Sequence, residues 1–187
     1  MPSMDQSLPL SATDETQFIA ALVRENREAQ RLLYEEHYAP LMSICQRYAG
    51  SQDEALDLLH ESFIKIFSKI RRYQPGTSLL AWMRSITVNT AIDYYRRQVR
   101  RRTEDIETAY HLSSDAPDVI SQASAKEILI AVQGLPPTYR TIFNLYIIEG
   151  YSHREISEQL GITESTSRSN LVKARGKLQK VLTAPGR

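Results

Sequence analysis

Apolar residues recur at three- and four-residue intervals through most of this 187-residue chain, and no sustained two-residue alternation interrupts them. That pattern predicts helices throughout and no strand. The clearest run is 51–70. Ser51 with Glu54 reads as a capping box, and Ala55, Leu58, Leu59, Ser62, Phe63, Ile66, Phe67 and Ile70 hold one helical stripe. Upstream, Asp14 with Gln17 predicts the start of a helix carrying Phe18, Leu22, Ala29 and Leu33. A second helix, from about 38 to 49, places Leu41, Ile44, Cys45 and Tyr48 on one side and stops at Gly50. Downstream, Pro75-Gly76 marks 73–77 as a loop. Ser78 then caps a fourth helix whose inward face is Trp82, Met83, Ile86 and Thr90.

The last third carries its own punctuation. Leu135-Pro136-Pro137 opens a helix expected over 137–149, preceded by a shorter one over 126–133. Ser152 followed by Glu155 is a second capping box, Gly161 is placed to end that helix in a left-handed conformation, and Thr163 caps a further helix to about 178. This is a helix-turn-helix. On its second helix Ser167, Leu171, Ala174 and Leu178 form an inward stripe facing Ile156, Leu160 and Ile162. The opposite face carries Ser165, Thr166, Arg168, Ser169, Lys173 and Arg175, hydroxyls and cations suited to base edges and phosphates in a major groove.

Between 103 and 124 the periodicity fails, and Ser113, Ser114, Asp115, Ala116, Pro117 and Asp118 accumulate. The expectation is an all-α protein of two small helical domains joined by a flexible acidic linker. Its parts are a tail at 1–13, a first domain at 14–102, the linker at 103–124, a helix-turn-helix domain at 125–182 and a tail at 183–187.

Composition adds charge order to this picture. The formal net charge is only +1, with 42% hydrophobic and 24% charged residues. Yet 71–102 holds Arg71, Arg72, Arg84, Arg96, Arg97, Arg100, Arg101 and Arg102 against the single acid Asp93. Glu104, Asp105, Glu107, Asp115 and Asp118 follow, and from 128 onward Arg140, Arg154, Arg168, Lys173, Arg175, Lys177, Lys180 and Arg187 turn the chain basic again. Two basic blocks around an acidic spacer point to two DNA contacts on one chain. Nothing resembles a membrane span or a signal peptide, and the lone Cys45 fits a reducing compartment, so a cytoplasmic protein without membrane insertion is expected.

Three segments also resemble a known family. Asp53-Glu54-Ala55-Leu56-Asp57-Leu58-Leu59-His60-Glu61-Ser62-Phe63, Trp82-Met83-Arg84-Ser85-Ile86-Thr87-Val88-Asn89 and Asp93-Tyr94-Tyr95-Arg96-Arg97 are similar to region 2 of the sigma-70 family, and the Leu135-Pro136 entry with the helix-turn-helix to region 4. Two such regions in this order, with a short linker, resemble the extracytoplasmic function (ECF) subfamily of bacterial sigma factors.

The resemblance implies a protein that binds core RNA polymerase and directs it to promoters. Helix 53–70 would dock on the clamp coiled coil of the largest subunit through Asp53, Asp57, His60, Glu61 and Lys65, although His60 stands where the family often has Gln. The residues for melting and reading the minus-10 element would be Tyr73, Ser85, Asn89, Asp93, Arg96 and Arg97, with Arg100, Arg101 and Arg102 on phosphates. Ser165, Thr166, Arg168, Ser169, Lys173 and Arg175 would read the minus-35 element, while region 4 also meets the polymerase flap. An anti-sigma factor is a further implied partner. Departures from the family wording fall at Ser165, Ser167 and Asn170; Ser167 replaces a frequent Val.

Tyr73 either stacks on a base or packs under its own turn. Glu104, Asp105 and Glu107 either mimic phosphates in a polymerase channel or form a solvated spacer. A stand-alone helix-turn-helix regulator with an N-terminal signal- or partner-binding domain is the alternative to a sigma factor. No enzyme is expected, since the chain has no Gly-rich phosphate loop and no Gly-x-Ser-x-Gly elbow. His37, His60, His111, His153 and Cys45 lack metal-ligand spacing, so no metal and no cofactor is expected either.

Overall fold

A computed structural model of the chain describes residues 12–104 and 125–183. The secondary structure of those residues is helical. The elements run α1 (Ala12–Val23), α2 (Arg27–Tyr48), α3 (Gln52–Lys69), a 3-10 turn (Ile70–Arg72), α4 (Leu79–Glu104), α5 (Ala125–Gln133), α6 (Pro137–Phe143), a π-helical segment (Asn144–Ile148), α7 (His153–Leu160) and α8 (Glu164–Leu182). The expected tails at 1–13 and 183–187 fall almost wholly outside the described residues. So does the expected linker, apart from the backbone of Thr103 and Glu104 at its start.

The predicted caps largely close as expected. Ser51 Oγ accepts from the Glu54 amide at 3.2 Å. The reciprocal arm differs by one residue, because the Glu54 carboxylate accepts from the Gly50 amide at 2.7 Å. Both arms of the Ser152/Glu155 box form, at 3.2 and 2.8 Å, and Gly161 adopts φ 67°, ψ 35°, the left-handed region that a side chain resists. Thr163 caps α8 by accepting from the Thr166 amide at 3.1 Å.

Two boundaries differ from expectation. The first expected helix breaks at Glu25, whose φ is 59°, and Asn26 recaps the chain by accepting from the Ala29 amide at 2.9 Å. From there α2 runs unbroken through the expected gap at 34–37, with Pro40 inside it. Proline removes an amide donor, but burial of Leu33, Leu41, Ile44, Cys45 and Tyr48 along one face outweighs the lost bond. The expected helix 137–149 also changes character. After Phe143 it widens, so that the Glu149 amide donates to Asn144 O, five residues back, at 3.0 Å.

The first half is a bundle of α1–α4 around Leu22, Leu33, Leu58, Leu59, Ile66, Met83 and Ile92. The second half wraps Ile142, Leu145, Ile156, Leu171, Ala174 and Leu178. These halves share one contiguous core and a polar seam, with α5 and α6 on α2, and α6 and α7 on α4. Across the seam Arg140 donates to Ala49 O at the end of α2, Asn144 Nδ2 donates to Arg47 O at 2.6 Å, and Gln133 Nε2 donates to Gln46 O at 3.1 Å. Glu149 pairs with Arg47 at 3.2 Å and with Arg84 at 3.4 Å. Arg140, counted above in the basic block, is therefore buried at the carbonyl end of α2, where a cation is favoured.

Candidate functional site

Three faces bear the residues singled out from the sequence. On α3, Asp53, Asp57 and His60 are exposed at helical spacing. They continue into Ile64, 68% exposed, an apolar side chain off the core stripe that a charge-based reading passes over. Glu61 and Lys65 belong to the same helix but turn toward α4. Glu61 accepts from Arg97 Nη1 at 3.0 Å and from Nη2 at 2.5 Å, and also pairs with Lys65 at 3.1 Å. Lys65 reaches Asp93 at 3.1 Å, and Asp93 reaches Arg96 at 3.4 Å. The hydrogen bond from Arg97, helped by Lys65, holds the Glu61 carboxyl below the usual carboxylate range. A shallow cavity of about 310 Å³ lies between the helices, lined by Asp57, Leu58, Glu61, Tyr94, Arg97 and Gln98.

The second face runs along α4 and the preceding loop. Ser85 and Asn89 are exposed, whereas Ile92, which follows them at helical spacing ahead of Arg96, is buried. Beyond Ile92, Arg96 turns to the second half and donates from Nε to Gln159 O at 2.7 Å. Arg84, Ser85 and Val88 border a cavity of about 420 Å³ closed on its far side by Glu149 and Tyr151. Tyr73 resolves toward packing under its own turn. It is 4% exposed, its ring lies 5.5 Å from Trp82, and its hydroxyl points to Glu15 and Thr77. Trp82 packs at the edge of the core, as expected. Arg100 is exposed on the last turns of α4. The side chains of Arg101, Arg102 and Glu104, and all of Asp105 and Glu107, lie outside the described residues.

The third face is α8. Ser165, Arg168, Ser169 and Arg175 are exposed along one side, while Thr166 and Lys173 are half-buried at its flank. Val172 stands among them, 48% exposed, and adds an apolar contact that the sequence reading left out. The hydroxyls of Ser165 and Thr166 approach Thr163 Oγ1 at 2.9 and 2.8 Å, and Arg168 pairs with Glu164. Behind this face Ser167 is fully buried and meets His153 Nδ1 at 2.9 Å; the imidazole in turn stacks on Tyr146 at 4.4 Å. Burial, then the Arg168 charge, pushes the His153 pKa down, so the ring is neutral near pH 7.

Chemically, these faces can bind and position but hold no reactive constellation. Among the described residues no group of three His, Cys, Asp or Glu side chains is arranged to hold a metal ion, and no helix is long and apolar enough to cross a membrane.

Comparison with known proteins places both halves. The family model described as Sigma-70 region 2 matches residues 33–101, and the one described as Sigma-70, region 4 matches residues 125–178. The ECF RNA polymerase sigma factor SigE of Mycolicibacterium smegmatis is 33% identical over 155 residues, covering 80% of this chain and 60% of that protein. RNA polymerase sigma factor SigV of Bacillus subtilis is 31% identical over 139 residues, covering 74% of this chain and 82% of SigV. Among solved structures, the sigma factor RpoE in complex with the anti-sigma factor NepR from Bartonella quintana has a TM-score of 0.48 and 19% identity. It covers 83% of this chain and 98% of that one.

Proposed function

The chain belongs to the ECF subfamily of the sigma-70 family of RNA polymerase sigma factors, and from that membership we propose that it binds core RNA polymerase and directs it to promoters in the cytoplasm. The observation that carries this reading is the joining, in one helical body, of an exposed acidic stripe on α3 to a helix-turn-helix whose outer face is open. A stand-alone regulator has no use for the first of these.

In this reading Asp53, Asp57, His60 and Ile64 meet the clamp, with Glu61 and Lys65 at the edge of the contact. Helix α8 enters the major groove of the minus-35 element. Ser165, Arg168, Ser169 and Val172 face the bases, and Thr166, Lys173 and Arg175 flank them toward phosphates. Each good bidentate base contact discriminates by about 1–3 kcal/mol, so a few suffice for selectivity. On the first half, Ser85 and Asn89 face the minus-10 strand, Arg96, Arg97 and Arg100 neutralise phosphates, and Asp93 orients Arg96. Loop 73–77 captures an extruded base, with Tyr73 shaping the loop from beneath. Extrusion costs a few kcal/mol of unstacking, which contacts to the captured base must offset. The protein supplies position alone, and bond formation belongs to the polymerase. Region 4 would also touch the flap, and an anti-sigma protein is the partner expected to restrain the whole.

Run-off transcription tests the proposal. The protein added to purified core polymerase should give discrete transcripts from some genomic fragments and none without it. Silence on every fragment would sink the reading.

A further inference from the structure

Helix α1 lies ahead of the segment matched by the region 2 family model, yet its first turns reach the loop after α3. The Glu15 carboxylate spans that loop. Its Oε1 accepts from the Tyr73 hydroxyl at 2.6 Å, and its Oε2 accepts from the Gly76 amide at 3.0 Å. Thr77 O lies 2.5 Å from the same hydroxyl, which has one proton to share between the two acceptors. Within the loop, Thr77 Oγ1 donates to Gln74 O at 2.8 Å. Gly76 has φ +87° with open space around its Cα, so the tip is a conformation that few residues would hold unaided. Both bonds favour the charged carboxylate, and the Glu15 pKa is correspondingly lowered, by Tyr73 first and Gly76 second.

We propose that Glu15 is a positioning residue of the minus-10 apparatus: it clasps loop 73–77 into the single shape that receives the extruded base. The proposal rests on the reading of that loop given under Proposed function. The physical case is preorganisation. A five-residue loop open to solvent must otherwise be ordered when the strand arrives, and that entropy is subtracted from capture. A carboxylate fixed on a helix, bonded to one residue at the base of the loop and to one at its tip, orders the loop beforehand. Glu15 touches no base in this scheme. It acts through Tyr73 and Gly76.

The test compares wild type with Glu15→Ala, Glu15→Gln, Tyr73→Phe and the double variant Glu15→Ala/Tyr73→Phe, each assembled with core polymerase on a promoter found by run-off. Single-base substitutions across the minus-10 non-template strand give a discrimination ratio for each protein. Glu15→Ala should lose about tenfold in initiation, and its discrimination at the captured base should collapse, since even about one loop residue must then be fixed at the moment of capture. Glu15→Gln, which keeps one acceptor oxygen, should recover part of both. The double variant should be no worse than its more damaging single member. Core co-purification should stay at the wild-type value, and the melting transition should fall by only a few degrees, as the loss of two hydrogen bonds implies. A merely structural glutamate would lower the melting transition and leave base discrimination intact, and that outcome overturns the clasp. If Glu15→Ala does not fold, undiminished discrimination in Tyr73→Phe overturns it instead. Failure of the wild type to initiate anywhere refutes the function on which the clasp rests, and is thereby distinguished from failure of the clasp itself.

Discussion

Single residues here are governed by burial, and Cys45 gives the sharpest example. Its thiol is fully buried, and burial pushes its pKa up to about 12. A thiol in the unfolded chain ionises near about 8.5. The folded state therefore keeps the proton that the unfolded state releases. The associated stability is complete below about pH 8.5 and is lost as pH rises from there toward 12. Burial raises Tyr48 in the same direction, so the two effects reinforce each other. The urea midpoint should fall progressively above about pH 8.5. Iodoacetamide at pH 8 should leave Cys45 unmodified until denaturant is added, as mass spectrometry would record; rapid alkylation of the native protein would contradict the burial. Ser167 marks the limit of what the sequence could say at this scale. Its inward position followed from periodicity, but its partner His153, fourteen residues earlier, is a tertiary contact that no spacing rule predicts.

Among elements, α3 was legible because cap, stripe and length agreed, and the structure returns all three. Helix α2 was not, because Pro40 resembles a helix start and Asn26 carries no capping-box partner. The two faces of α3 also separate in a way that periodicity alone misses. Asp57 points to solvent, while Glu61 is shared with Arg97 and Lys65. The paired charge reversal Asp57→Arg with Glu61→Arg should abolish co-purification with core polymerase. Its second member also sets a new cation against Arg97 and Lys65, at a cost of about 1 kcal/mol for these partly exposed groups, so the fold should survive. Circular dichroism and pull-down together check this; retention of core binding would remove α3 from the clamp contact. The α8 face was legible down to its exposed cations. Val172 and Ile64 were not, because an apolar residue in a helix is read as core unless the neighbouring elements are known.

At the scale of the whole molecule, the sequence separated two helical units correctly but could not show that they pack together. The seam is polar, built from an arginine, two amides and Glu149 between two guanidinium groups, and such contacts leave no periodic trace. Glu149→Gln should weaken it, leaving Arg47 and Arg84 without their counter-charge at about 1–3 kcal/mol. Wild type should melt in one transition and the variant in two, by calorimetry; two transitions in wild type would mean the halves are energetically independent. The seam also buries Arg47 Nε, Tyr48 Oη and Asn144 Oδ1, which make no hydrogen bond to another protein group.

Arg96 turns this into arithmetic. It donates to Gln159 O, so on the proposed reading a phosphate would compete with that carbonyl for the same guanidinium. Were DNA to bind only the parted form, its apparent affinity would be the intrinsic affinity multiplied by the fraction of molecules with the seam parted. Any protein that binds only the parted form raises DNA affinity by the same factor by which DNA raises its own. Any protein that binds only the closed form lowers both without touching a base.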